Sequence, residues 1–138
     1  MQESHDPYFT LWYGVYHPAT RRLDYGCAGH PPAVLVDAGA QGAQLLKAKG
    51  LPIGLMPDIA YGCERVIVPP DTRLYLFSDG AYEVQRPDGT MMRYEELLQL
   101  ISDPGAHKSD LDRVFQDLLR MRGDAVLEDD FSIVRFKF

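Results

Sequence analysis

The order of the predicted elements indicates an α+β fold built on antiparallel sheets. Strand patterns occupy the chain before Tyr94, two amphipathic helix patterns follow, and a last strand pattern begins at Asp130. Strands in succession followed by helices are typical of α+β layers, whereas parallel folds alternate strand and helix. A Rossmann fold is excluded because no glycine-rich turn joins a strand to a helix.

The first predicted strands show alternating side chains. Residues 8–16 are rich in aromatic and β-branched residues, which strands favour. After a turn at residues 17–20, Leu23, Tyr25 and Cys27 alternate with polar or small residues, which predicts a hairpin partner. One face of the first strand carries Phe9, Leu11, Tyr13 and Val15.

Proline and glycine divide the middle of the chain. Residues 28–32 include two prolines, which lack a backbone donor and interrupt strand pairing. Short strands are predicted over residues 33–36 and 43–46, with a turn between them. Residues 51–57 contain two prolines and a glycine, so an irregular loop is expected there, before a strand over residues 61–68.

The remaining elements are one buried strand, two helices and a final strand. The apolar run over residues 74–77 is too short for a helix and predicts a buried strand, followed later by a turn at residues 86–89. Residues 130–138 alternate as a strand, and Gly123 is expected to cap the second helix. The apolar positions of the two helices are Tyr94, Leu97, Leu98 and Ile101, then Leu111, Val114, Phe115 and Leu118.

Composition limits the functional classes. A chain of 138 residues with 46% hydrophobic and 25% charged residues is expected to form one soluble domain with its own core. The formal net charge of -6 argues against nucleic acid as the main partner, because phosphate backbones require a basic surface. No apolar run reaches the length of a membrane span and no signal-peptide pattern is present, so a cytoplasmic location is expected.

Two acidic segments are the candidates for metal chemistry. Asp79 and Gly80 follow a predicted buried strand, where a carboxylate needs a partner and glycine allows a tight turn, although ordinary turn chemistry is an equal alternative. Asp129 and Asp130 begin the last strand, where a solvated turn is the alternative. If the two strands are neighbours, Asp79 and Asp129 could bind one hard cation together, with waters or other ligands completing its shell.

Other reactive side chains give weaker signals. Cys27 and Cys63 have no nearby thiol or histidine at metal-binding spacing, so both are interpreted as reduced core residues. His30 lies between Gly29 and two prolines and by itself is interpreted as a hydrogen-bonded loop residue.

In several motifs the chain resembles the metal-dependent PPM-type serine/threonine phosphatases, in the bacterial branch typified by stage II sporulation protein E. The order and spacing of these motifs make the resemblance specific over nearly the whole chain. The motifs are YFTLWYGV at residues 8–15, CAGHPP at 27–32, LPIGL at 51–55, LFSDGAYE at 76–83, PDG at 87–89 and DDFSIV at 129–134.

The resemblance implies an α-β-β-α sandwich and a site for two Mg²⁺ or Mn²⁺ ions. Asp79 matches the ligand of the Ser/Thr-Asp-Gly motif and Asp129 the ligand of the closing motif, while His30, Gly80 and Asp130 match supporting positions. In such a site two ions, roughly 3.5–4 Å apart, activate a bridging water that attacks phosphoserine or phosphothreonine in line.

The chain departs from the family pattern in one respect. It contains no Gly-Asp…Gly-His-Gly segment, whose aspartate bridges both metals in the family. Residues 1–138 are therefore expected to be the C-terminal part of an incomplete domain, with weak metal binding and poor catalysis. Exposed sheet edges and apolar faces would favour self-association as a homodimer.

Three functional alternatives remain open at this point. The first is part of a phosphatase that acts on a phosphoprotein, such as an antagonist of an anti-sigma factor, downstream of a receiver or sensor domain. The second is a non-catalytic adaptor of a response regulator that binds a sigma factor or an anti-sigma regulator. The third is an α+β domain whose acids are all solvated.

Overall fold

The computed structural model describes residues 7–37, 43–102, 111–123 and 130–138. Within them the chain forms two antiparallel sheets and two helices, as the element order predicts. The strands are β1 (Leu11–His17), β2 (Arg22–Ala28), β3 (Ala33–Asp37), β4 (Ala43–Leu46), β5 (Glu64–Ile67), β6 (Thr72–Phe77) and β7 (Ile133–Lys137). The helices are α1 (Tyr94–Ser102) and α2 (Leu111–Met121).

The chain divides into two compact units. The first unit comprises Met1–Pro32 and Leu46–Pro69, and its sheet has the order β1-β2-β5. The second comprises Ala33–Leu45 and Pro70–Phe138, and its sheet has the order β4-β3-β6-β7. No helix in the described part of the chain is both long enough and apolar enough to cross a membrane.

The hairpin of the first unit has one covered and one exposed face. The predicted pairing of β1 with β2 is confirmed, and Leu23, Tyr25 and Cys27 are buried. Trp12 of β1 stacks on Tyr25 with ring centroids 5.9 Å apart. The face that carries Leu11, Tyr13 and Val15 is exposed, so the more apolar side of β1 is the one that faces outward.

One predicted core position in the first unit is wrong. Cys63 is exposed, whereas Cys27 is a buried free thiol as expected. The strand predicted over residues 61–68 is shorter, because the described pairing with β2 covers only Glu64 to Ile67. Cys63 directly precedes β5, an edge strand of this sheet whose own residues are exposed or half-buried, so this stretch of the chain does not reach the core.

A buried core joins the helices of the second unit to its sheet. Val34, Val36, Tyr75 and Phe77 from β3 and β6 belong to one cluster with residues of both helices. The buried helical members are Leu97 and Ile101 of α1 and Val114 and Leu118 of α2, which are four of the eight apolar positions that the 3.6-residue period predicts.

Both helices have identifiable ends. The Glu96 carboxylate accepts a hydrogen bond of 2.7 Å from the backbone N–H of Arg93, which is half of a capping box, and it also pairs with Arg86. Gly123, at φ +81, follows α2 and donates its N–H to the Arg120 carbonyl, so the predicted cap is confirmed.

Asp24 holds Arg22, Arg65 and His17 together across the first sheet. It accepts a hydrogen bond of 2.7 Å from Arg65 Nε, and Arg22 Nη2 and His17 Nε2 lie 3.0 and 3.2 Å from its other oxygen. The hydrogen bond from Arg65, followed by the charge of Arg22, holds the pKa of Asp24 below its ordinary value.

We expect Asp24→Asn to lower the free energy of unfolding at pH 7. Because the folded-state pKa of Asp24 is lowered, its stabilising effect is present above the ordinary aspartate pKa and is lost as pH falls through the folded value. Urea midpoints should therefore differ between the variant and the parent chain at pH 7 and converge toward pH 3. A difference that grows on acidification would contradict this assignment.

Candidate metal centre

Asp79 lies two residues after the end of β6, an inner strand of the second sheet. β6 lies between β3 and β7, and Thr72, Leu74, Tyr75 and Phe77 are buried in it. After Phe77 the chain continues through Ser78 into a short 3-10 helix, Asp79–Ala81. Gly80 and Ala81 are buried, whereas Asp79 is exposed. The fold thus brings a carboxylate to the surface directly after a buried strand.

Backbone hydrogen bonds define the turn around Asp79. The Asp79 carbonyl accepts the N–H groups of Tyr82 and Glu83 at 3.0 and 2.8 Å. The Gly80 N–H donates to Asp79 Oδ1 at 3.0 Å, so one carboxylate oxygen is oriented by the adjacent peptide. This arrangement limits the rotation of the Asp79 side chain, which favours ligand binding because less freedom is lost.

Position 80 has no room for a side chain. The sequence predicted a tight turn at Gly80, and the chain turns there through a short 3-10 helix without a positive φ at Gly80. A Cβ at this position would lie 2.2 Å from the carbonyl oxygen of Asp130. The backbones of the Asp79 turn and of the segment before β7 are therefore in direct contact, and any side chain at Gly80 would separate them.

Ser78 joins the same two segments through three hydrogen bonds. Its N–H donates to the Ser132 carbonyl at 2.9 Å, and its hydroxyl donates to the Asp130 carbonyl at 3.0 Å. The hydroxyl oxygen also accepts the Ser132 N–H at 2.9 Å. Sequence reasoning missed this role, since only the pairing of β6 with β7 gives the serine its partners.

The predicted ligand pair is only partly described. Asp79 is exposed on its turn, and exposed Asp130 lies in the segment bound by Ser78. Asp129 lies outside the described residues, so its pairing with Asp79 stays a prediction. Among the residues that are described, no group of three or more His, Cys, Asp or Glu side chains is arranged to hold a metal.

Three aromatic rings pack together next to the turn. Tyr82 makes edge contacts with Phe77 and Tyr94, at centroid distances of 6.2 and 5.2 Å. Burial raises the pKa of Tyr82, and the negative charges of Glu83 and Asp79 raise it further. Burial likewise raises the pKa of Tyr94. These hydroxyls remain neutral, and the rings provide a rigid apolar base for the turn.

His30 belongs to the first unit and Asp79 to the second. The His30 Nδ1 atom makes a hydrogen bond of 2.8 Å to the Pro31 carbonyl. The His30 carbonyl accepts a hydrogen bond of 2.9 Å from the Cys27 thiol. Burial raises the pKa of Cys27, so its thiol is a poor nucleophile. The interpretation of His30 as a hydrogen-bonded loop residue is confirmed, and its supporting role at a metal stays a prediction.

Two antiparallel sheets with two helices match the α+β fold of PP2C-type phosphatase domains. The family model described as "Stage II sporulation protein E (SpoIIE)" matches residues 1–138, and the chain belongs to this family.

A curated relative and two solved structures define the extent of the similarity. The chain is 26% identical over 129 residues to phosphoserine phosphatase RsbU of Bacillus subtilis (strain 168), covering 92% of this chain and 38% of that relative. The structure of the PP2C phosphatase domain and a regulatory-domain fragment of SpoIIE from Bacillus subtilis matches with a TM-score of 0.80 at 17% identity. That match covers 99% of this chain and 40% of the SpoIIE chain.

A crystal structure of RsbX in complex with magnesium matches with a TM-score of 0.58 at 12% identity, covering 93% of this chain and 55% of that one. At these identities the two structures show the fold alone. The chain spans little more than a third of the length of RsbU.

We expect Gly80→Ala to destabilise the second unit by about 1–3 kcal/mol, because the new methyl group would overlap the Asp130 carbonyl. The matched control is Gly62→Ala, since a Cβ at Gly62 meets no atom within 4 Å. Urea unfolding of both variants checks the prediction. Equal midpoints for the two variants would show that the Gly80 contact is not tight.

Proposed function

We propose that this chain is part of a metal-dependent protein serine/threonine phosphatase of a bacterial signalling system. Family membership supports a serine phosphatase domain. The observation that carries the proposal is the contact that binds the Asp79 turn to Asp130, the residue that follows Asp129. The proposed substrate is a phosphoprotein, such as an antagonist of an anti-sigma factor.

The donor set suits a hard divalent cation. Asp79 offers an exposed carboxylate of the kind that Mg²⁺ and Mn²⁺ prefer, and Asp129 would add a second. These two carboxylates do not complete an octahedral shell, so water and residues beyond this chain would supply the other ligands. Bound divalent cations lower the pKa of a coordinated water, which supplies the nucleophile for attack on phosphorus.

The residues around Asp79 have positioning roles in this proposal. Ser78 fixes the spacing between the turn and the segment before β7, through its hydrogen bonds to Asp130 and Ser132. Gly80 allows the close approach of the two backbones. The Gly80 N–H orients the Asp79 carboxylate before any ligand binds.

The alternative is an adaptor without catalytic activity, which binds a sigma factor or an anti-sigma regulator. The metal-bridging aspartate of the Gly-Asp…Gly-His-Gly segment is not among these 138 residues, and a longer protein that lacks this segment as well would fit the adaptor. The two functions differ in what the Asp79 carboxylate does: an adaptor needs the folded surface, whereas a phosphatase needs the carboxylate itself.

Asp79→Asn is expected to reduce phosphoserine release by the longer protein that contains this chain, by on the order of 100-fold, because a weakened metal site loses activity on that scale. Release would be measured with Mn²⁺ and a phosphorylated protein substrate. Asp129→Asn should have a comparable effect. Glu83→Gln, which neutralises an exposed acid four residues along the chain, is the matched control and should leave the rate unchanged.

Full activity of Asp79→Asn would refute the proposed role of the carboxylate. If the parent protein shows no turnover at all but still binds a regulator, and Asp79→Asn binds it equally well, the adaptor replaces the phosphatase.

Metal binding by the 138-residue chain provides a separate measurement. Mn²⁺ is paramagnetic, so its binding should broaden the amide NMR signals of Ser78 to Glu83 and of Asp130 to Ser132. Asp79→Asn should remove this broadening, and Glu83→Gln should retain it. Broadening centred instead on the acids of α2, Asp112 and Asp117, would place the cation elsewhere.

A further inference from the structure

A second candidate site lies within the first unit. It is a pocket of about 780 Å³ whose lining includes Lys47, Lys49, His30 and Glu64. Pockets that bind small ligands typically have volumes of about 300–1,000 Å³. None of these side chains except His30 figures in the proposed metal chemistry, and the pocket is formed by residues of this unit alone.

The backbone that carries the two lysines is held against β2. The Gly29 N–H donates to the Gly50 carbonyl at 2.8 Å, and the Tyr25 hydroxyl makes a long hydrogen bond of 3.5 Å to the Lys47 carbonyl. A Cβ at Gly50 would lie 2.0 Å from the Cys27 carbonyl oxygen, so the two backbones are in contact. Contacts at residues 47 and 50 therefore hold the segment that carries Lys47 and Lys49, and both lysines line the same pocket.

The charges in the pocket favour an anion. In the part of the chain that the structure describes, neither Lys47 nor Lys49 has a carboxylate partner, whereas Arg22 and Arg65 both pair with Asp24. Two lysines against one glutamate, Glu64, leave an excess of positive charge in a protein whose formal net charge is -6. An anionic ligand would supply the missing partners.

Hydrogen-bond chemistry at His30 adds an acceptor to the same pocket. A carbonyl oxygen can only accept, so the bond to the Pro31 carbonyl places the proton on His30 Nδ1 and leaves Nε2 as an acceptor in the neutral ring. Glu64 is also an acceptor. The residues that line the pocket therefore include two lysines, which can donate hydrogen bonds, and two side chains that can accept them.

We propose that this pocket binds a phosphate monoester, with Lys47 and Lys49 contacting the phosphoryl oxygens. Lysine binds phosphate as a point charge, and two lysines match the charge of a dianion. His30 Nε2 and Glu64 accept hydrogen bonds from hydroxyl or N–H groups on the rest of the ligand. The pocket is much larger than one phosphate ion, so the phosphoryl group belongs to a larger molecule, either a phosphorylated protein side chain or a phosphorylated small molecule.

Amide NMR of the 138-residue chain without added metal tests this proposal. The probes are a phosphoserine peptide, a nucleoside monophosphate and inorganic phosphate, titrated separately. At least one monoester should cause saturable shifts at residues 27–30 and 47–50 and bind more tightly than inorganic phosphate. The probe that binds more tightly, peptide or nucleotide, identifies the source of the phosphoryl group.

Charge variants then test the assigned residues. The double variant Lys47→Gln, Lys49→Gln should weaken monoester binding by about tenfold or more, since charge-assisted hydrogen bonds are lost. Glu64→Gln should tighten binding, because a like charge is removed from the pocket. The matched control is Lys137→Gln, because Lys137 is an exposed side chain of β7 in the other unit. This variant should bind the monoester as tightly as the parent chain does.

Shifts that do not saturate, or a loss of affinity that is equal for Lys137→Gln and the double variant, would overturn the proposal. The titrations contain no metal and measure no turnover. Their failure would therefore leave the Asp79 site untouched, and inactivity of Asp79→Asn says nothing about this pocket.

Discussion

The contact between the Asp79 turn and the segment before β7 is the constraint on which the candidate metal centre depends. Ser78 forms three hydrogen bonds across this contact, and Gly80 leaves room for the Asp130 carbonyl because it has no side chain. The ladder of β6 and β7 reaches it with Phe77 opposite Ile133. A shift of register by one residue would turn side chains to the opposite face of the sheet and break these bonds. Strand register and turn geometry therefore support each other.

The second unit gives this contact a stable base. The aromatic group of Phe77, Tyr82 and Tyr94 lies next to the turn, and Phe77 also belongs to the core cluster that both helices share. A carboxylate that is exposed on a turn held by buried neighbours can be oriented before a ligand arrives. Preorganisation of this kind reduces the entropy lost on binding and is characteristic of sites carried on rigid elements.

Local sequence patterns predicted most of the elements and the turn that carries Asp79. The helix positions, the β1–β2 hairpin and the Gly123 cap are confirmed because each depends on neighbours within a few residues. The prediction for Cys63 failed because it precedes an edge strand, β5, whose own residues are exposed or half-buried, and the pattern of residues 61–68 does not reveal a strand's place in the sheet. The alternation in β1 was visible, but nothing in it indicated that its more apolar face would be the exposed one.

The sequence by itself determined the types of element, the aspartate-glycine turn after a buried strand and membership of a phosphatase family, since these features are encoded in short motifs and their spacing. Only the tertiary structure decided why Gly80 must lack a side chain, which segment Ser78 binds, and which lysines share a pocket with His30. The hydrogen bond from Ser78 to Asp130 joins residues 52 positions apart. Contacts of that kind arise from packing and strand register, because folding brings together side chains that no local pattern relates.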